Sequence, residues 1–334
     1  MSNISLTASM RSNLLSLQQT AALMDQTQER LSTGKKVNSA IDNPSAYYTA
    51  QSLTNRAGDL GGLLDSMGQA ISTIKAADEG IEAITSFAEQ AKAVATSALD
   101  TKDVAERATY MKQFNEIREQ INKLAKDSGY KGVNLINGDD LSVTFNEDRS
   151  SKLEIKGQDA TTTGLGIGAG AGWYGTKIET ASIAEFDSSG AAVAAGTKVK
   201  VGSDYYIVDQ EIAKGADFDA AKATKLVKVG EEYFGPVVEA DDKAIETAVN
   251  AATDAINKLR TMSSELGNNY SIVETRESFT ENLVNVLEEG ADKLTLADMN
   301  EESANMLALQ TRQQLAINSL SLASQASQSV LSLF

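Results

Sequence analysis

The 334-residue sequence contains no cysteine and no histidine. That excludes a disulfide framework, a thiolate nucleophile, Ser-His-Asp and Cys-His constellations, and transition-metal sites held by imidazole or thiolate. Carboxylate, lysine, tyrosine and hydroxyl groups remain, and no spacing gathers them into a catalytic, cofactor or metal constellation. Proline occurs only as Pro44 and Pro236 and aromatics make up 5%, which favours long uninterrupted helices over a compact aromatic-cored enzyme. Positive charge is also short. Thirty basic residues against 46 acidic ones give −16, a balance that repels nucleic acid and anionic membrane surfaces. No stretch approaches the roughly 18 to 20 apolar residues of a membrane span. The first twenty residues lack a basic segment followed by an apolar block, so no cleavable secretory signal is expected.

Charge is scarcest at the two ends. Arg11 is the only charged residue of the first 24, and Arg312 the only one from Ser303 to Phe334. Both ends carry a heptad stripe. Met10, Leu14, Leu17, Ala21, Met24, Gln28 and Leu31 alternate steps of four and three, and so do Met306, Leu309, Gln313, Ala316, Leu320, Ala323, Ser327, Val330 and Phe334. Such stripes are coiled-coil seams. Off the seam these helices offer Ser, Asn, Gln and Ala with almost no charge, so they call for cover on more faces than one partner helix supplies, and the remaining cover implies other subunits.

From Pro44 to about Leu99 a second helical stripe runs through Leu53, Leu60, Leu63, Met67, Ile71, Ile74, Ala77, Ile81, Ile84, Ala88, Ala91, Ala95 and Ala98, a helix of roughly 80 Å at 1.5 Å per residue. A shorter helix with Tyr110, Phe114, Ile117, Ile121 and Leu124 ends at Ser128-Gly129. Its expected partners lie far away in the chain: Ile245, Val249, Ala252, Ile256, Leu259 and Leu266, then Ile272, Phe279, Leu283 and Val286. Residues 141–155 alternate as a β-hairpin, and 13 of the 24 glycines fall between Gly157 and Gly235 among β-like runs at 198–201, 205–208 and 225–229.

The expected fold is therefore mainly α: a coiled-coil and helical-bundle rod built from both chain ends, with a small inserted β-rich outer domain. Residues 1–43 and 291–334 form the terminal coiled-coil core. Residues 44–165 and 243–290 form the helical rod, and 166–242 the variable outer domain.

Four motif-like features carry no chemistry. Gly164, Gly166, Gly168, Gly170 and Gly172 lack dinucleotide-loop spacing and read as a flexible connector. The stretch Ser32-Thr33-Gly34-Lys35-Lys36 lacks the upstream glycine of a P-loop. The sequons at Asn3 and Asn269 fall in segments expected to be buried or helical. Glu231-Glu232 and Asp241-Asp242 read as solvated faces, without EF-hand spacing.

Residues 30–43, Arg-Leu-Ser-Thr-Gly-Lys-Lys-Val-Asn-Ser-Ala-Ile-Asp-Asn, resemble the bacterial flagellin motif, with Arg30, Leu31, Gly34, Asn38, Ser39, Ala40 and Asp42 at its matching positions. The segment from Asn300 to Asn305-Met306 and the ending Ser329-Val330-Leu331-Ser332-Leu333-Phe334 resemble the family's C-terminus, and Tyr130 to Leu135 its short glycine turn. The resemblance implies a structural, non-enzymatic subunit of the extracellular flagellar filament that transmits motor torque for swimming. It also implies no cofactor and export by a type III apparatus without a cleavable signal. The implied partners are other copies of the chain, an export chaperone, the filament cap and hook-junction proteins. On this reading Met10, Leu14, Leu17, Met24, Leu31, Met306, Leu309, Ala316, Leu320, Ala323, Val330 and Phe334 form the filament-core interface. Family members also stimulate an innate immune receptor through an arginine of the first rod helix. Here no arginine occurs between Arg56 and Arg107, so that contact is doubtful. Two alternatives are a hook-filament junction protein and a surface adhesin or glycan binder using residues 166–242 through Trp173, Tyr174, Tyr205 and Tyr206.

Overall fold

The computed structural model describes residues 8–331. In chain order the elements are α1 (Ala8–Thr33), α2 (Pro44–Asp100), α3 (Val104–Asp127), β1 (Leu141–Thr144), β2 (Lys152–Ile155), α4 (Thr162–Leu165), β3 (Lys177–Ile178), β4 (Lys198–Val201), β5 (Asp204–Val208), β6 (Ala223–Lys225), β7 (Val227–Val229), β8 (Glu232–Phe234), α5 (Glu239–Thr295) and α6 (Met299–Leu331). The fold is mainly α, with a small antiparallel β insertion. The chain divides into two compact units, residues 1–64 with 278–334, and residues 65–277.

Local chemistry sets the helix starts. Asn43 accepts the Ala46 amide through Oδ1 at 3.1 Å ahead of Pro44 in the first helical position. Asp103 accepts the amides of Ala105 and Glu106 at 2.8 and 2.9 Å, and Asp298 accepts that of Asn300 at 2.9 Å. The α3 helix stops at Ser128, whose amide returns to the Leu124 carbonyl, as the turn residues predict.

In the unit 65–277, α2 buries Met67, Ile74, Ala77, Ile81, Ile84, Ala88, Ala91, Ala95 and Ala98. These follow the expected stripe, except that Ile71 is only half-buried. On α5 the buried positions keep a strict seven-residue step, Ile245, Ala252, Leu259, Leu266 and Val273, and continue at Thr280 and Leu287 in the other unit. The expected switch to Ile272, Phe279 and Val286 is wrong: those side chains are 44%, 58% and 63% exposed. Seven residues from Leu266 lands on Val273, and a buried threonine at 280 hides the signal that would have kept the register.

The hairpin forms as expected, pairing Leu141 with Ile155 and Thr144 with Lys152. Beyond it, two three-stranded antiparallel sheets are ordered β3-β8-β7 and β4-β5-β6. Val199, Val208 and Ile212 form a small core with Phe186, Tyr206 and Phe218 against it. The run 225–229 is split between β6 and β7 at the buried Leu226.

The glycine-rich segment is not a flexible connector. Asn115 of α3 receives the Gly170 amide at 2.9 Å and donates to its carbonyl at 3.0 Å, and Arg118 donates to the Ile167 carbonyl at 3.0 Å. Trp173 is 1% exposed and packs on Phe114 with ring centroids 4.9 Å apart, so it cannot serve as a glycan-stacking platform. Its carbonyl accepts from Arg107, which is fully buried and paired with Asp242 at 2.5 Å. Sequence reading placed Asp242 on a solvated face. The structure instead makes it the counter-ion of a buried guanidinium.

Candidate assembly interface

The unit formed by both chain ends holds the residues singled out for assembly. Within it α1 and α6 pack antiparallel, with Arg30 near the C-terminal end of one helix bonded to Glu302 near the start of the other at 2.9 Å. On α6, Met306, Leu309, Gln313, Ala316, Leu320 and Ala323 are half-buried, and every residue between them is exposed. On α1, Met10 is 7% exposed and Leu17, Met24 and Leu31 are half-buried. The alternate positions differ from the expected seam. Thr20 and Thr27 are buried at 2% and 7%, whereas Leu14 is 38% exposed and Gln28 exposed. Two overlapping seams share residues 10, 17, 24 and 31, and the chain turns the more polar one toward α6. The Thr20 hydroxyl donates to the Ser16 carbonyl at 2.8 Å, so its burial leaves no unsatisfied donor. The Val330 side chain and Phe334 lie outside the described residues.

The faces turned away from this pairing carry exposed apolar side chains among mostly uncharged polar ones. Leu15, Leu23, Leu307, Leu315, Ile317 and Leu322 are 46% to 66% exposed, with Arg11 and Arg312 the only charges near them in sequence through the uncharged stretches. Exposed leucine at this density on two paired helices is far more than a surface in water normally carries.

The motif at residues 30–43 builds the clasp that sets this pair. Gly34, at φ +73°, ends α1 by returning its amide to the Arg30 carbonyl at 2.8 Å, a left-handed conformation that suits glycine. Lys36 and Val37 donate their amides to the Thr295 carbonyl at 2.8 and 3.2 Å, Ala297 donates to the Gly34 carbonyl at 3.0 Å, and Lys36 Nζ reaches the Lys293 carbonyl at 2.8 Å. Asp42 then closes the turn: one carboxylate oxygen accepts from the Asn38 amide, the Ser39 amide and the Ser39 hydroxyl at 3.0, 2.9 and 3.2 Å. Those backbone donors, Ser39 first, hold the Asp42 carboxyl below its ordinary range. Asn38 ties the turn to the end of α1 through Thr33 Oγ1 at 3.1 Å, while Ala40 is half-buried and Ile41 is 94% exposed. Thr20, Thr27 and Glu302 escaped the sequence reading. The available signals were the seven-residue step between the threonines and the place of Glu302 as the last acidic residue before the nearly uncharged stretch that follows.

Residues 4–140 match the bacterial flagellin N-terminal helical region, and residues 249–334 match the bacterial flagellin C-terminal helical region. The chain belongs to the bacterial flagellin family. It is 28% identical to Flagellin FljM of Caulobacter vibrioides over 324 residues, covering 96% of this chain and 94% of that protein. It is 29% identical to a flagellin of Brucella melitensis over 337 residues, covering 100% and 99%. Flagellin FljN of Caulobacter vibrioides is 32% identical over 154 residues, 45% of this chain and 56% of that one. A flagellin is a structural protein and not an enzyme, a self-assembling subunit of the extracellular flagellar filament.

For this flagellin the pH response follows from its carboxylates. Asp42, Asp140 and Asp242 are all held below their ordinary range, Asp140 first by its bond from Lys156 and Asp242 first by that from Lys102. A depressed folded pKa contributes stability that is fully present above the unfolded value near 4 and is lost as pH falls through the folded value. With no histidine, no side chain has an unperturbed pKa between about 6 and 8. Sedimentation of filaments is expected to be flat across that window and to fall below about pH 4. A dissociation midpoint near 7 would contradict it.

Proposed function

We propose that this chain polymerises through its terminal helices into a filament that passes motor torque to the surrounding fluid in swimming. The observation that supports the reading is the row of leucines exposed on the outer faces of the nearly uncharged α1–α6 pair, which the described residues of one chain leave uncovered. Met10, Leu14, Leu17, Met24, Leu31, Met306, Leu309, Ala316, Leu320, Ala323, Val330 and Phe334 are assigned to the filament core, within terminal segments 1–43 and 291–334. Residues 44–165 and 243–290 are assigned to the surrounding rod and 166–242 to the outward domain. Export with a chaperone, and capping and hook-junction partners, belong to the same proposal. An innate immune receptor is not among the assigned partners, because the first rod helix offers Lys92 and no arginine between Arg56 and Arg107. Negative-stain imaging of purified protein after seeding tests the reading: long tubes are expected, whereas short rings would point to a hook-filament junction protein.

The β insertion is expected to be dispensable for assembly. Its ends meet: Gly235 donates its amide to the Thr176 carbonyl at 3.1 Å, and a Cβ on Gly175 would collide with the Gly235 carbonyl. Replacing residues 177–234 by a short Gly-Ser linker keeps Trp173 on Phe114, which an excision starting at 170 would not. Filaments are expected from this variant, and soluble monomer with intact helical circular dichroism would count against it.

A further inference from the structure

We propose that Asn137-Gly138 is a self-modification site, at which the asparagine deamidates spontaneously to aspartate and isoaspartate in the folded protein. It is the only Asn-Gly pair in the chain. Glycine puts no side chain in the way of its own backbone nitrogen, and both residues are exposed. A Cβ placed on Gly138 would meet nothing within 4 Å, and its φ of +96° belongs to an open turn. The decisive feature is hydrogen bonding. The amides on either side are committed, since Asn137 and Asp139 both donate to the Asn134 carbonyl at 3.1 Å; among the described residues the Asn137 side chain has no partner, and the Gly138 amide is held by nothing more than the isolated bridge that pairs Asn137 with Asp159. Asn38, which also precedes a small residue, is the contrast. The Ser39 amide is given to Asp42 at 2.9 Å, and the Asn38 carboxamide donates to Thr33 and Glu29.

In the step, water or hydroxide takes the Gly138 amide proton and the nitrogen attacks Asn137 Cγ. The N–Cγ bond forms, the Cγ–Nδ2 bond breaks, and ammonia leaves with a proton from solvent. One water then opens either carbonyl of the cyclic imide, leaving an ordinary aspartate or a main chain routed through the former side chain. No oxidant or reductant is consumed. The product disturbs a clasp. Asn134 donates its amide to Asp139 Oδ2 at 2.9 Å and its side chain to the Ala125 carbonyl of α3 at 2.8 Å, and Asp140 accepts from Lys156 and the Gly157 amide. An extra main-chain carbon shifts Asp139 and Asp140 against Asn134, beside the buried Leu135 and Ile136, and the new carboxylate adds charge next to two aspartates.

The test is incubation of the full-length folded protein at mildly alkaline pH, followed by tryptic mass mapping and isoaspartyl methyltransferase labelling. The expected result is loss of the native Asn137 peptide to two products, faster as pH rises, with the Asn38 peptide intact. The aged protein is expected to melt at a lower temperature than an equally aged Asn137→Gln variant. An intact Asn137 peptide under conditions in which the urea-unfolded chain is modified would overturn the proposal, as would equal modification at Asn38.

Discussion

Leu320→Asp is expected to abolish filament growth while leaving the thermal melting of the unit 65–277 unchanged. Leu320 lies on the half-buried line of α6, between Ala316 and Ala323. On the facing helix the buried centre is Met10, Thr20 and Thr27, so the seam joining the two chain ends is narrow and partly polar. A helix pays roughly 1 to 2 kcal/mol of backbone entropy for each ordered residue. A seam of half-exposed leucine and alanine offsets little of that at about 25 cal/mol per Å² of buried apolar surface. On the proposed assembly the outer leucines are covered by other subunits, and a carboxylate at 320 is expected to place an unpaired charge in that wall at a cost on the order of several kcal/mol per subunit. Hydrogen exchange on the unpolymerised protein checks the same mechanism. Residues 8–30 and 303–331 are expected to exchange freely before assembly and to become protected afterwards. Strong protection in the monomer would refute coupled folding, and filament growth by the aspartate variant would show that the seam does not carry assembly.

The largest stability effect within a single chain is expected at Asp242. Its partner Arg107 is 0% exposed and spends its other donors on the carbonyls of Thr101 and Trp173. Asp242→Ala leaves that guanidinium buried without a counter-charge, a loss of about 3 kcal/mol or more by analogy with other buried pairs broken from one side. Lys102→Ala removes a mostly exposed contact to the same carboxylate and is expected to cost under about 1 kcal/mol. Urea unfolding of the two variants separates the cases, and equal, small losses would mean that water solvates Arg107 after all. The sign of the pH effect adds a second check. Because Asp242 is held below its ordinary range, its contribution is intact above about pH 4 and vanishes in acid, so the alanine variant should show a shallower acid decline than the parent.

The helices, the hairpin at 141–155 and the inserted β segment were all legible in the sequence. Apolar spacing, the Ser128-Gly129 stop and clustered glycines are local signals that act before any long-range contact exists. The near-absence of charge at the ends was legible too, and with it the expectation that these helices are covered on more than one face. The choice between competing faces was not. On α1 the seams through Leu14 and through Thr20 share the same seven-residue positions, and only the facing helix, set in register by the Arg30–Glu302 pair and the Asp42 turn, selects the threonine side. On α5 the lines through Ile272 and Val273 lie one residue apart, about 100° round the helix, and the buried Thr280 makes the inner line look polar. Arg107, Trp173 and Asp242 are separated by 66 and 69 residues, and no local pattern announces their meeting. Periodicity states that a helix has an inside, but which of two adjacent stripes becomes the inside depends on the partner it packs against, and that is settled only when distant segments come together.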